Sequence, residues 1–143
     1  MIPMLQQSNV RVHVFRLSPH QDLKGSILDF AKSRKISAGI ILTCVGSLEK
    51  IHLRFANQKS GTKRTEYFEI VSLTGTISQS YGHLHIALSD ERGNTIGGHL
   101  LDENLVYTTA EIAIAELPGV AFDRETDPAY GYHELVVKSR VFE

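Results

Sequence analysis

Two histidines one residue apart are the residues of this chain whose types and spacing most directly indicate chemistry. His83 and His85 lie in Gly82–Ser89, a segment in which apolar and polar residues alternate as in a β-strand. Alternate side chains of a strand point to the same face of the sheet. The two imidazoles are therefore predicted to lie side by side.

A third histidine joins this pair if the following strand returns through a short hairpin. Residues 90–94 have the composition of a turn, and a three-residue loop of residues 91–93 places Gly93 where a left-handed backbone is needed. Counting along both strands from that loop sets His85 directly opposite His99. Opposed residues share a face, with Cβ atoms about 4.5–5.5 Å apart. The sequence thus predicts one cluster of His83, His85 and His99.

Three neutral imidazoles on rigid strands are a ligand set for Zn²⁺ or another divalent transition metal ion, with positions left for water, substrate or a carboxylate. If such a site is catalytic, metal-assisted hydrolysis or lyase chemistry is the class that it would support. The alternative is that the histidines are half-buried strand residues that bond to neighbours or line a polar channel. A slip of one residue in the register would turn His99 to the other face.

Gly98 and Glu111 are candidates for the lining of a ligand pocket. Gly98 precedes His99 and either lets backbone or a ligand approach closely or marks a curved strand. Glu111 lies among small residues in the segment 108–117, where it is either on a solvent face or beside the histidines as a ligand or base. The other histidines, at positions 13, 20, 52 and 133, are isolated and are predicted to lie at the surface or rim.

The charge balance differs from that of a typical free-standing nucleic-acid-binding protein. The chain has 143 residues, with 15 Lys and Arg against 16 Asp and Glu, and a formal net charge of −1. A protein that neutralises phosphates needs an excess of basic residues. The length indicates a single domain over residues 1–143 with a sizeable core.

Apolar stretches are too short to span a bilayer, which takes roughly 18–20 residues, so no membrane partner is expected. Residues 1–8 carry no export signal, and a cytoplasmic location is predicted. Cys44, the single cysteine, excludes an internal disulfide and is expected to be a buried, inert thiol in an apolar run.

The elements that must position the histidines follow from periodicity and capping residues. Residues 10–17 alternate as in a half-buried strand, and Ser18, Pro19 and Gln21 predict a helix that begins there and continues through Lys35. Further strands are predicted at residues 37–45, 51–55, 65–73, 75–79, 82–89, 95–101, 105–117 and 133–141, with a turn or bulge at residues 46–47. Residues 118–132 have few apolar anchors and indicate a surface excursion. The predicted fold class is α/β (α+β), with a mixed, mainly antiparallel sheet and a packed helix.

Several of these segments occur together, in the same order, in a known family. They are residues 82–90, Gly93, residues 96–100 and 108–112, with residues 45–48 and 67–75 upstream. This set resembles the plants and prokaryotes conserved (PPC) domain, and the resemblance extends from about Val12 to Val137. The cupin family, which also has a His-x-His strand, is a weaker match. The glutamate that follows this strand in cupins and the second motif of that family are both missing.

The resemblance implies a mainly antiparallel α/β fold that assembles as a homotrimer. It also implies that His83, His85 and His99 are metal ligands, as in the stand-alone members of the family. Plant members carry the domain after an AT-hook and associate with themselves and other nuclear proteins, and prokaryotic members are often described as DNA-binding. Here the arginine-glycine-arginine core of the AT-hook is absent, the nearest match being Arg92, Gly93 and Asn94. Three functions stay open: a metal- or small-ligand-binding trimer, a protein-interaction or regulatory module, and a DNA-binding protein that the charge does not support.

Overall fold

Nine strands and one helix make up the fold within residues 6–140, the part of the chain that the computed structural model describes. In chain order they are β1 (Arg11–Leu17), α1 (Leu23–Ser33), β2 (Gly39–Arg54), β3 (Thr62–Arg64), β4 (Phe68–Ile77), β5 (Gly82–Ser89), β6 (Thr95–Leu100), β7 (Leu105–Glu116), β8 (Val120–Thr126) and β9 (His133–Ser139). No helix in this range is long and apolar enough to cross a membrane.

Seven of the strands form one sheet, and the pairings within it are antiparallel. The order is β1-β7-β2-β4-β5-β6, with β3 attached to β2. β6 also pairs with the end of β2, so that β2, β4, β5 and β6 close into a ring. The predicted architecture, a mainly antiparallel sheet with one packed helix, is confirmed, and its ring brings β5 and β6 next to the end of β2.

The helix begins later than the sequence predicted. Asp22, not Ser18, is the N-cap, and its carboxylate accepts a hydrogen bond from the Gly25 amide at 2.8 Å. His20 has a φ of 71°, which a right-handed helix does not allow. The Ser18 amide donates a hydrogen bond to the Gln21 side chain at 2.7 Å, but this bond closes a turn ahead of the helix. The helix ends at Ser33 rather than Lys35.

The apolar side of α1 covers one face of the sheet. Leu23, Ile27 and Ala31 recur at helical spacing and are completely buried. At the edge of this layer the Phe30 ring stacks on Phe15 of β1, with centroids 4.3 Å apart. The core therefore lies between the helix and the sheet, and the opposite face of β1 is left outside it.

The period-two pattern of β1 is observed, but its valines lie on the outer face. Val12 and Val14 are 53% and 76% exposed. His13 was predicted at the surface or rim; it is half-buried on the inner face of this edge strand, where Nε2 lies 2.8 Å from the carboxylate of Glu116. A carboxylate partner and the Phe30 ring, 5.5 Å away, make the inner position favourable for an imidazole.

Two pairs of predicted strands are single strands. β2 runs without a break through Gly46, where the register shifts as in a bulge, and β4 runs through Thr74. Cys44 is buried in β2 as predicted, and burial raises the pKa of its thiol to about 12. The thiol is thus protonated and unreactive at neutral pH.

The predicted surface excursion at residues 118–132 contains a strand, which corrects that prediction. β8 pairs with β9 in a separate two-stranded sheet. It is anchored because Val120 is buried and the Phe122 amide donates to the Ser37 carbonyl at 3.0 Å. The last predicted strand extended to Val141, which lies outside the described residues.

Candidate metal site

The β5–β6 hairpin has the register that the sequence predicted. His85 is directly opposite His99, and Ser89 is opposite Thr95. The turn is closed by a bond from the Asp90 amide to the Asn94 carbonyl at 2.9 Å, and Gly93 has the expected left-handed backbone with φ of 81°. Because the hairpin is tight and in register, the imidazoles of both strands project from the same outer face.

The three imidazoles form one cluster with the dimensions of a metal site. The Nε2 atoms of His83 and His85 are 3.1 Å apart, and one ring nitrogen from each of the three histidines lies within 4.8 Å of the others. Nitrogens bound to tetrahedral zinc at about 2.0–2.1 Å are roughly 3.3 Å from one another. Small rotations of the rings would bring all three nitrogens to that spacing, so the residues present fit a divalent metal ion.

The surroundings of the cluster keep two of the imidazoles uncharged. Burial lowers the pKa of His99 to about 4, assisted by the positive charge of Arg54. Burial and the neighbouring His85 also lower the pKa of His83. An uncharged imidazole keeps a nitrogen lone pair, which is the form that binds metal ions.

β4 and β2 supply the neighbours of the cluster. Thr74 is opposite His85 and Thr76 is opposite His83 on the β4–β5 pair, so both hydroxyl side chains share the outer face with the imidazoles. A shallow cavity of about 160 Å³ lies between these two threonines and the histidines of β5. On the other side, Arg54 at the end of β2 is opposite His99.

Gly98 and Glu111, the two other candidate pocket residues, lie on different strands, β6 and β7. A Cβ atom on Gly98 would lie 2.8 Å from the Arg54 carbonyl, so glycine here lets β6 approach β2. Glu111 is exposed on β7, where its register neighbours are Arg16 of β1 and Val45 of β2. It lies on a solvent face, one of the two predicted placements, and is not part of the histidine cluster.

Two arginines near the cluster were not singled out from the sequence. Arg54 reaches it through the pairing of β2 with β6, and Arg124 of β8 donates from Nη2 to the Thr76 hydroxyl at 3.2 Å. Both depend on contacts between distant parts of the chain. No local signal in the sequence places them there.

Comparison with known proteins identifies the family to which this arrangement corresponds. The sequence profile of the Plants and Prokaryotes Conserved (PCC) domain matches residues 4–118. That segment includes the three histidines of the cluster and ends before β8.

Two curated relatives contain a similar segment within a much longer chain. They are proteins named Bifunctional protein GlmU from two Synechococcus strains, 42% identical over 134 residues and 41% identical over 130 residues. The matches cover 94% and 91% of this chain but only 22% and 21% of those proteins. The chain therefore spans about a fifth of the length of these relatives.

Solved structures share the fold over almost the whole chain. A hypothetical protein from Salmonella enterica is 38% identical, with a TM-score of 0.93 over 94% of this chain and 98% of its own. A metal-containing protein from Archaeoglobus fulgidus is 24% identical, with a TM-score of 0.80 over 92% and 98%. A candidate DNA-binding protein from Bacteroides thetaiotaomicron is 25% identical, with a TM-score of 0.76 over 90% and 96%.

Proposed function

The chain belongs to the Plants and Prokaryotes Conserved (PCC) domain family, and we propose that it binds one divalent transition metal ion, zinc in particular, through His83, His85 and His99. One observation carries the proposal: a nitrogen atom from each of the three histidines lies within 4.8 Å of the others. Imidazole nitrogens favour zinc, copper, iron and nickel over magnesium or calcium, which prefer oxygen ligands.

The cluster is open on its outer side, because His85 is exposed and the other two rings are half-buried. A metal ion bound there would supply Lewis acidity and lower the pKa of a coordinated water molecule. The chain itself contributes orientation: β5 and β6 hold the imidazoles on one face. The hydroxyl groups of Thr74 and Thr76 offer hydrogen bonds to a molecule that binds beside them.

Full-length protein purified without a polyhistidine tag and stripped of metal is expected to bind one zinc ion per chain. Isothermal titration calorimetry gives the stoichiometry, and elemental analysis after gel filtration checks that the zinc is retained. Magnesium should give no heat of binding under the same conditions, because a three-imidazole site lacks the oxygen ligands that this ion prefers. Zinc bound at well below one ion per chain would contradict the proposal.

We also propose that the chain associates with copies of itself, as a homotrimer, through the outer face of β1, β7 and β2. Val12 and Val14 on β1 are exposed on this face, and Val45 on β2 is 56% exposed. Exposed valines clustered on one sheet face are typical of surfaces that become covered by a partner. The same face would serve a different protein partner if the chain acts as an interaction module.

Val14→Glu is expected to convert the assembly to single chains, because it places an unpaired carboxylate next to Val12 within the proposed interface. Sedimentation velocity should give about three times the 15.9 kDa chain mass for wild type and one chain mass for the variant. Val137→Glu on β9, an exposed valine of the two-stranded sheet, is the matched control and should stay trimeric. Wild-type protein that sediments as single chains would contradict the proposed trimer.

DNA binding is the weaker alternative. The similar protein from Bacteroides thetaiotaomicron is named as a candidate DNA-binding protein, but the net charge of −1 in this chain gives little attraction to phosphates. A cytoplasmic location stays a prediction from the sequence.

A further inference from the structure

A second, deeper cavity lies beside the histidine cluster. It has a volume of about 270 Å³ and is bounded by the end of β4, the turn that precedes β5, and β8. The polar residues that line it are Thr76, Ser78, Ser80, Tyr81, Asp123 and Arg124, and Ile77 and Phe122 complete the lining. A cavity of this size, lined by several residues with hydrogen-bonding side chains and by two apolar ones, suits a small ligand that has a polar group.

Thr76 joins this cavity to the histidine cluster. It lines both spaces, and it is directly opposite His83 on the β4–β5 pair. The Arg124 guanidinium donates to the Thr76 hydroxyl at 3.2 Å. The positive group is therefore separated from the imidazoles by one threonine.

The side chain of Arg124 has no carboxylate partner among the residues that the structure describes. It is half-buried, and its guanidinium lies 4.4 Å from the centre of the Tyr81 ring. None of the ion pairs among residues 6–140 includes it. A guanidinium group has five N–H donors in a planar fork that matches carboxylate and phosphate oxygens.

Within residues 6–140, one carboxylate borders the cavity, and it already has partners. Asp123 forms an ion pair with Lys138 of β9, and its other oxygen accepts a hydrogen bond from the Arg124 amide at 2.8 Å. Its negative charge is thus compensated from the β9 side. The Tyr81 ring and the hydrogen bond to Thr76 hold the guanidinium at the cavity wall.

We propose that this cavity binds the oxyanion of a small ligand, a carboxylate or a phosphate group, with Arg124 as the main contact and the nearby hydroxyl groups as further donors. The rest of the ligand would extend past Thr76 towards His83. This position of the rest of the ligand rests on the proposed metal site, because a second polar group of the ligand would bind the metal ion there. The ligand class is then a small organic acid or a phosphate monoester with a second polar group.

The oxyanion contact can be tested on metal-free protein, so that it is separated from metal binding. Acetate and inorganic phosphate are titrated into ¹⁵N-labelled full-length protein, and the amide resonances of residues 76–81 and 122–124 are followed. Both anions should shift these resonances, and the tighter one identifies a carboxylate or a phosphate ligand. Arg124→Gln should weaken binding roughly tenfold or more, since it removes a charge-assisted contact.

Two further variants make the result specific. Arg64→Gln on β3 removes the same charge from an exposed position away from the cavity and should leave anion binding unchanged. His85→Ala should lower the affinity for zinc at least about 100-fold and leave anion binding to the metal-free protein within about twofold of wild type. Absence of shifts at the cavity, or equal weakening by Arg124→Gln and Arg64→Gln, would overturn the oxyanion proposal. Failure of zinc to bind while anions still bind would instead count against the metal site alone.

Discussion

Replacing His99 with alanine is expected to lower the affinity of the protein for zinc at least about 100-fold. Loss of a group that only orients a metal ligand costs roughly 10–100-fold, and here a ligand itself is removed. The remaining imidazoles, His83 and His85, are on the same strand and leave zinc with two protein ligands. Competition with a chromogenic chelator measures the affinity of both proteins on one scale.

The effect should be specific to the cluster. His20→Ala is a matched control, because His20 is an exposed histidine whose Nδ1 lies beside the carboxylate of Glu49 rather than in the cluster. It should bind zinc with wild-type affinity. Metal-free His99→Ala should keep the far-ultraviolet circular dichroism of wild type, which separates a lost ligand from a lost fold. Equal zinc affinity in His99→Ala and wild type would show that the ion binds elsewhere.

Replacing Asn104 with alanine is expected to reduce the free energy of unfolding by about 3 kcal/mol or more. Asn104 is completely buried, and its side-chain amide accepts from the His52 amide at 2.8 Å and donates to the carbonyls of His52 and Leu101 at 3.1 and 2.6 Å. Alanine would leave the His52 amide and the Leu101 carbonyl without these partners, at a cost of about 1–3 kcal/mol for each group that water does not reach. The His52 carbonyl would keep the hydrogen bond that it accepts from the Leu101 amide at 3.2 Å.

The Asn104 network also fixes the start of the helix. The backbone amide of Asn104 donates to the Asp22 carboxylate at 2.8 Å, and the backbone amide of Leu23 donates to the backbone carbonyl of Asn104 at 2.8 Å. Urea unfolding followed by circular dichroism measures the change. Asn94→Ala in the exposed β5–β6 turn is the control, and it should cost no more than about 1 kcal/mol. Unfolding of Asn104→Ala at the wild-type urea concentration would contradict the assigned role.

The part of the site that was predicted from sequence is the part built from local structure. The β5–β6 hairpin follows from a turn with Gly93 at its left-handed position, and counting from that turn brings His85 and His99 together. Only a few residues separate the strands, so their register is set by the turn itself.

The parts that were not predicted depend on contacts between distant segments. The helix starts at Asp22 because that carboxylate also accepts from Asn104, a bond that the local capping pattern at Ser18 does not contain. β1 has apolar side chains on both faces, so periodicity alone does not decide whether the valines or Phe15 and Leu17 turn inwards. Arg124 of β8 reaches the site through its hydrogen bond to Thr76 of β4, and nothing within residues 118–132 predicts that contact.

The central claim is that His83, His85 and His99 together bind one metal ion. Crystals of tag-free protein reconstituted with zinc, measured on both sides of the zinc absorption edge, test it most directly. The expected result is one strong anomalous peak per chain between the three imidazoles, about 2.0–2.1 Å from a nitrogen of each. A zinc peak at full occupancy elsewhere, or no peak between these rings in protein shown to contain zinc, would contradict the claim.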